Sequence, residues 1–234
     1  MLIIQHASKS YDKNKPALND VNLTLEPGDL FGFVGHNGAG KTTLLKAIAG
    51  IHRLDQGTIT FRNLDVIKDT LAYKRHLAYV PDHPDLYEQL TGRQYIDFIA
   101  DVFKVSLPER QLIIDQYGQS FEMIPFLKQP ISTYSHGMKQ KTALIAALVH
   151  HPALLILDEP FVGLDPKASF VLKEAFKAMT ESGMCIFFSS HVLEVVEKLT
   201  NKIAIIKQGK IIHQGLTKTV LSKQNLESLF LELT

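Results

Sequence analysis

The chain has 234 residues, 45% of them hydrophobic, enough to bury one large core or one core with a smaller lobe. Its 25 basic and 24 acidic residues nearly cancel, so bulk charge implies no polyanionic partner. A single cysteine, Cys185, excludes an intramolecular disulfide framework and fits a reducing cytosol; its apolar neighbours mark a buried strand residue rather than a reactive thiol.

In chain order, the apolar start Met1-Leu2-Ile3-Ile4-Gln5 is too short to be expected to act as a secretion signal. Strands are predicted at residues 21–25 and Leu30–Val34. The second leads into Gly35-His36-Asn37-Gly38-Ala39-Gly40-Lys41-Thr42-Thr43, and a helical pattern follows over 43–49. This is a G-x-x-x-x-G-K-[ST] phosphate loop in the strand–loop–helix setting that it needs. Its glycines let backbone N–H groups converge on phosphate oxygens, with the positive end of the helix behind them. Lys41 sits at the exit, within reach of β- and γ-phosphates, and the Thr42 hydroxyl is placed for Mg²⁺. A nucleoside triphosphate is the implied ligand.

Further strands are predicted at 58–61 and Leu77–Val80. Residues 82–151 then read as mostly helical, with Thr91 an N-cap for a helix over 92–103 and Ser135 an N-cap for a long helix ending near His150. The longest uncharged stretch, 142–157, is interrupted by His150-His151-Pro152, so it predicts a helix followed by a strand rather than a membrane span. The chain is therefore expected to be soluble, with any membrane role exerted through a partner.

The strand at 154–157 ends in Asp158 and Glu159. A buried strand delivers such carboxylates to the edge of an α/β sheet, beside the phosphate loop. Asp158 is suited to hold Mg²⁺, and Glu159 to orient or deprotonate an attacking water. Residues 161–166 form a turn-rich loop, and a strand at 186–189 leads through Ser190 to His191. The run 202–214 predicts a hairpin turning near 208–210, following a strand at 203–207. The tail, 217–234, has loosely helical apolar spacing and is expected to pack on its own domain.

Together, the phosphate loop, Ser135-His136-Gly137-Met138, Asp158-Glu159, the loop holding Asp165, and His191 resemble the nucleotide-binding subunit of ATP-binding-cassette transporters, from Tyr11 to about Gly215. The resemblance implies an α/β phosphate-loop core with a mainly parallel sheet, an antiparallel β subdomain and an inserted α-helical subdomain. On that plan residues 1–81 and 152–215 are core, 82–151 the helical subdomain and 216–234 a helical tail. It implies ATP and Mg²⁺ as ligands, Tyr11 as the aromatic stacking on adenine, and Gly35, His36, Asn37, Gly38, Ala39, Gly40, Lys41, Thr42 and Thr43 as the phosphate cradle. Thr42, Asp158 and Asp82 become metal-site residues, and Glu159 and His191 catalytic. Ser135 and Gly137 complete the nucleotide site of a second subunit, and Asp165, on the shared interface, is counted among the nucleotide-site residues.

Three positions depart from the family pattern. His36 stands where proline is usual, at a side chain that need not touch phosphate. His136 and Met138 replace glycine and glutamine of the commonest signature while Ser135 and Gly137 remain, a variant similar to that of bacterial export-type cassettes. Asp82 replaces a glutamine; being shorter and anionic, it should favour Mg²⁺ and repel phosphate.

The resemblance further implies ATP hydrolysis that energises an exporter, a homo- or heterodimer with a second nucleotide-binding subunit, separate membrane-spanning subunits with 79–89 as the lever between them, and a cytoplasmic, peripheral location on the inner face of the cell membrane. No nucleic acid is expected. The alternative, a soluble cassette ATPase acting on ribosomes or nucleic acid, usually brings paired cassettes, coiled-coil insertions or zinc-binding cysteines that this chain lacks. A small-molecule kinase has no use for the signature loop or His191.

Overall fold

The computed structural model describes residues 1–12, 15–222 and 225–233. Along the chain run β1 (Leu2–Asp12), β2 (Lys15–Leu25), β3 (Leu30–Val34), α1 (Lys41–Ile48), β4 (Gln56–Phe61), β5 (Leu64–Asp65), α2 (Thr70–Lys74) and β6 (Leu77–Val80). Then follow α3 (Gly92–Val102), α4 (Leu107–Ser120), a 3₁₀ turn (Ile131–Thr133), α5 (His136–Leu148), β7 (Leu154–Asp158), α6 (Pro166–Glu181) and β8 (Cys185–Ser190). The chain closes with α7 (Leu193–Leu199), β9 (Lys202–Lys207), β10 (Lys210–Leu216), α8 (Thr217–Val220) and α9 (Leu226–Leu233).

Two sheets result. The larger has the order β10-β9-β3-β8-β7-β6, and all its pairings are parallel except β9–β10. The smaller, β2-β1-β4-β5, is antiparallel. The fold is thus the mixed α/β arrangement that the sequence implies. Side chains of a strand alternate between faces, and here both faces are apolar. Leu30, Leu155, Leu157, Ile186 and Phe188 point to one buried cluster with helices α3 to α7 and α9. Phe31, Leu154, Ile156, Cys185 and Phe187 point to the other, with α1 and the small sheet. That two-sided burial explains why β3, β7 and β8 are continuous apolar runs rather than alternating ones. Burial also raises the pKa of the Cys185 thiol, consistent with an unreactive core residue.

Helix ends follow local chemistry. Thr91 caps α3 and Ser106 caps α4, each in a reciprocal box with Gln94 or Glu109. Ser135 accepts from the Met138 N–H to start α5. The buried Arg110 guanidinium joins α4 to α3 by donating to Asp97, Asp101 and the Val105 carbonyl. In the tail, Leu226 and Phe230 are buried, and the Leu226 N–H donates to Glu197 on α7. The helix packs on its own chain; residues 223, 224 and 234 and the Leu233 side chain, part of the expected tail, lie outside the described residues. Among the described residues, no helix is long and apolar enough to cross a membrane.

Candidate functional site

β3 ends at Val34 and the chain turns through the glycine-rich loop into α1. Gly40 makes the turn possible: its φ is +112°, and a Cβ there would come 2.3 Å from the Ala17 carbonyl oxygen. No side chain caps α1, so its first-turn amides face the cleft as donors for an anion.

The Lys41 side chain, only 7% exposed, curls back under this loop. Its ammonium donates to the Gly35 carbonyl at 2.6 Å and to the His36 carbonyl at 3.3 Å, and lies 3.8 Å from Glu159 Oε1. Burial lowers its pKa, with Glu159 and Asp158 pulling the other way. A partly desolvated cation sits ready for a phosphate.

Strand order brings the carboxylates to it, because β7 lies two places from β3 with β8 between them. Thr42 Oγ1 donates to Asp158 Oδ2 at 2.7 Å, and Ser189 Oγ donates to Asp158 Oδ1 at 2.5 Å. A hydroxyl and a carboxylate pointed at one another are hard oxygen donors of the kind Mg²⁺ takes, so this pair fits the implied ion. Glu159 sits in the left-handed region, φ +49°, which is costly for a non-glycine residue. Its N–H donates to Ser189 Oγ at 3.1 Å. The turn leaves Glu159 Oε2 2.9 Å from His191 Nδ1, and the His191 N–H also donates to that oxygen at 3.2 Å.

A cleft of about 540 Å³ opens over these groups, within the usual small-ligand range of about 300–1,000 Å³. Of the residues singled out from the sequence, Tyr11, His36, Asn37, Gly38, Gly40, Lys41, Thr42, Thr43, Asp82, Asp158 and Glu159 line it. Gly35 and Ala39 are buried within the loop itself, and His191 joins through Glu159. Tyr11 is exposed, edge-on to His52, with Lys9 Nζ 5.8 Å from its ring centre.

Ser135, Gly137 and Asp165 are not in this cleft. Ser135 and Gly137 sit at the start of α5, where a Cβ on Gly137 would come 3.2 Å from the Gly163 carbonyl oxygen. Asp165 caps α6 by accepting from the Ala168 N–H at 2.8 Å.

Among the described residues, Ala17, Lys46, Tyr79, Pro81 and His83 also line the cleft, though the sequence assigned none of them to the nucleotide and placed Tyr79, Pro81 and His83 only in the 79–89 lever. Lys46 carried a usable signal, one helical turn beyond Thr42 and Thr43. Tyr79 lies inside a strand and gave none; its hydroxyl is buried without a hydrogen-bond partner, and burial raises its pKa. Ser189, which holds the Asp158 carboxylate and the Glu159 backbone N–H, was visible only as a polar end to an apolar strand.

A family model described as "ABC transporter" matches residues 18–162. The chain is 30% identical to the ABC transporter ATP-binding protein NatA of Bacillus subtilis, covering 98% of this chain and 95% of that protein. It is 34% identical to the linearmycin resistance ATP-binding protein LnrL of Bacillus subtilis, covering 100% of this chain and 75% of the relative. A solved structure titled as the ATP-binding subunit of an ABC transporter superposes with a TM-score of 0.94 at 29% identity, over 100% of this chain and 99% of the other.

Proposed function

Because this chain belongs to the ABC transporter family as an ATP-binding subunit, we propose that it hydrolyses ATP to drive a membrane exporter, working as a head-to-tail pair of cassettes. One observation carries the reading. The buried Lys41 ammonium, the Thr42–Asp158 pair and Glu159, held by Ser189 and His191, converge on a single cleft. Ser135 and Gly137 begin a second anion-ready helix start outside it.

In this mechanism Tyr11 stacks on the base and the loop amides cradle the phosphates. Lys41 exchanges its two carbonyl acceptors for β- and γ-phosphate oxygens. Thr42 and Asp158 would hold Mg²⁺, which when bound neutralises charge on those oxygens. Glu159 accepts a proton from a water as its oxygen attacks the γ-phosphorus; the bond to the bridging oxygen breaks and ADP leaves. His191 keeps the Glu159 carboxylate aimed, and Lys41 balances its charge. Ser135 and Gly137 reach the γ-phosphate of the partner's nucleotide, so hydrolysis removes what joins the two copies. Residues 1–81 and 152–215 serve as the ATP-binding core and 82–151 as the lobe that moves, with 79–89 the lever to separate membrane-spanning subunits on the cytoplasmic face. The tail, 216–234, steadies the core. The "resistance" in the name of LnrL supports export.

The test is Glu159→Gln. It should keep ATP binding, cut turnover by about 10²–10⁴ and accumulate an ATP-bound dimer in size-exclusion chromatography. Near-normal hydrolysis would remove Glu159 as the base. Mixing Ser135→Ala with Lys41→Ala subunits should restore ATP-dependent dimers absent from either alone; no restoration would argue for a self-contained monomer.

A further inference from the structure

Three metal-ligating side chains meet at the edge of the cleft from opposite ends of the helical region. Asp82 and His83 directly follow β6 and Pro81, and His136 is the first residue of α5. Each offers one ligand atom, and the three atoms lie within 4.8 Å of one another. The two imidazole rings are 5.1 Å apart between centroids and tilted by 59°. His83 Nδ1 lies 3.1 Å from Asp82 Oδ2. The other carboxylate oxygen, Asp82 Oδ1, is buried and has no hydrogen-bond partner. Buried acceptors normally find a donor or a cation, so this orphan points to a missing group.

The His136 ring is confined on its other side. Gly163 has φ +76°, and a Cβ there would come 2.6 Å from His136 Cδ2, so glycine leaves the ring its place. His83, by contrast, is 81% exposed and free to rotate toward it.

We propose that Asp82, His83 and His136 bind a divalent transition-metal ion, with zinc the best match. Two imidazoles and one carboxylate are a borderline-soft donor set suited to Zn²⁺, Co²⁺ or Ni²⁺. Mg²⁺ prefers oxygen ligands alone, so this site differs in chemistry from the Thr42–Asp158 pair. Zinc bonds of about 2.0–2.2 Å place neighbouring ligands of a tetrahedral ion about 3.3 Å apart. Modest side-chain rotation therefore closes the set around the ion, with water in the fourth position.

The ion ties the segment after β6 to the start of α5 and draws the Asp82 carboxylate out of the nucleotide cleft. That consequence, a zinc-dependent brake on turnover, rests on the ATPase reading above. The metal site itself does not, and its test uses no nucleotide.

The full chain is titrated with Co²⁺ followed by visible absorption, and with Zn²⁺ by calorimetry, in excess Mg²⁺ so that oxygen-only sites are filled. The wild type should bind one ion per chain, with the intense visible bands of tetrahedral Co²⁺. His83→Gln, His136→Gln and Asp82→Asn should each weaken binding by roughly tenfold or more, with the melting temperature of the metal-free protein unchanged. His213→Gln, at an exposed histidine on β10, should bind as the wild type does. Zinc should raise the melting temperature of the wild type and not of His136→Gln. Undiminished binding by His136→Gln, or equal weakening in the His213 variant, would overturn the site.

Discussion

Ser189→Ala strikes a hydroxyl that ties the Asp158 carboxylate to the Glu159 backbone. Ser189 is fully buried; its Oγ donates to Asp158 at 2.5 Å and accepts from the Glu159 N–H at 3.1 Å. Removing it deletes a charge-assisted hydrogen bond, about 1.5–3 kcal/mol, and leaves a shielded N–H unsatisfied, about 1–3 kcal/mol. Asp158 keeps Thr42 as a donor, which offsets part of the loss, so the expected destabilisation is about 2–4 kcal/mol. The same N–H contact holds Glu159 in its left-handed turn. Losing it should let the carboxylate drift by a fraction of an ångström to an ångström, lowering kcat by roughly 10–10². Lys41 and the loop amides are untouched, so ATP affinity should change little. Urea unfolding followed by circular dichroism gives the first quantity, and steady-state phosphate release with a nucleotide-binding titration gives the second. A loss below about 0.5 kcal/mol, together with wild-type kcat, would refute the claim that this hydroxyl organises the site.

Lys41→Ala should weaken ATP binding roughly 10²–10³-fold, since a unit charge about 4 Å from phosphate is worth about 4 kcal/mol at intermediate dielectric, less the two carbonyl bonds it gives up; calorimetric affinity equal to wild type would place the phosphates elsewhere. Asp82→Gln should retain hydrolysis and reach half-maximal activity at lower free Mg²⁺, because a neutral amide does not repel the γ-phosphate. Superimposable Mg²⁺ titrations of the two proteins would leave Asp82 without a role at the nucleotide. His150, stacked on Phe103 with its Nε2–H donating to the Leu77 carbonyl, has its pKa lowered from 6.5 by burial. Below pH 6.5 the unfolded chain takes up a proton there that the folded chain resists, so stability should fall with pH by at most about 1.4 kcal/mol per unit from this group. His150→Gln should flatten the decline in melting temperature between about pH 6.5 and 5, and an unchanged slope would contradict the assignment.

Features set by neighbours in sequence were legible without coordinates. The phosphate loop is one: glycine freedom, the exit lysine and the threonine are consecutive, and a helix must follow them for the amides to converge. The predicted strands Leu30–Val34 and Leu77–Val80 match β3 and β6 residue for residue, because a continuous apolar run between turns has few other uses. Thr91 and Ser135 announced their helices because capping is local. β1 was not singled out: its register against β2 is broken by several irregularities, and its outward residues are polar, so no clean alternation survives.

The remainder depended on contacts between segments far apart in the chain. Asp158 meets Thr42 across 116 residues and Ser189 across 31. Those meetings require β8 to lie between β3 and β7, an order that is a property of the whole sheet. Tyr79 joins the cleft for the same reason. Likewise His36 lies 4.6 Å from Phe230, ring to ring, only because α9 folds back over the core. His83 meets His136 only because the helical segment between them returns to its starting point. Local backbone chemistry selects which turns and helices form, and the sequence alone displays it; which distant side chains share a site is decided when both faces of the large sheet are buried together.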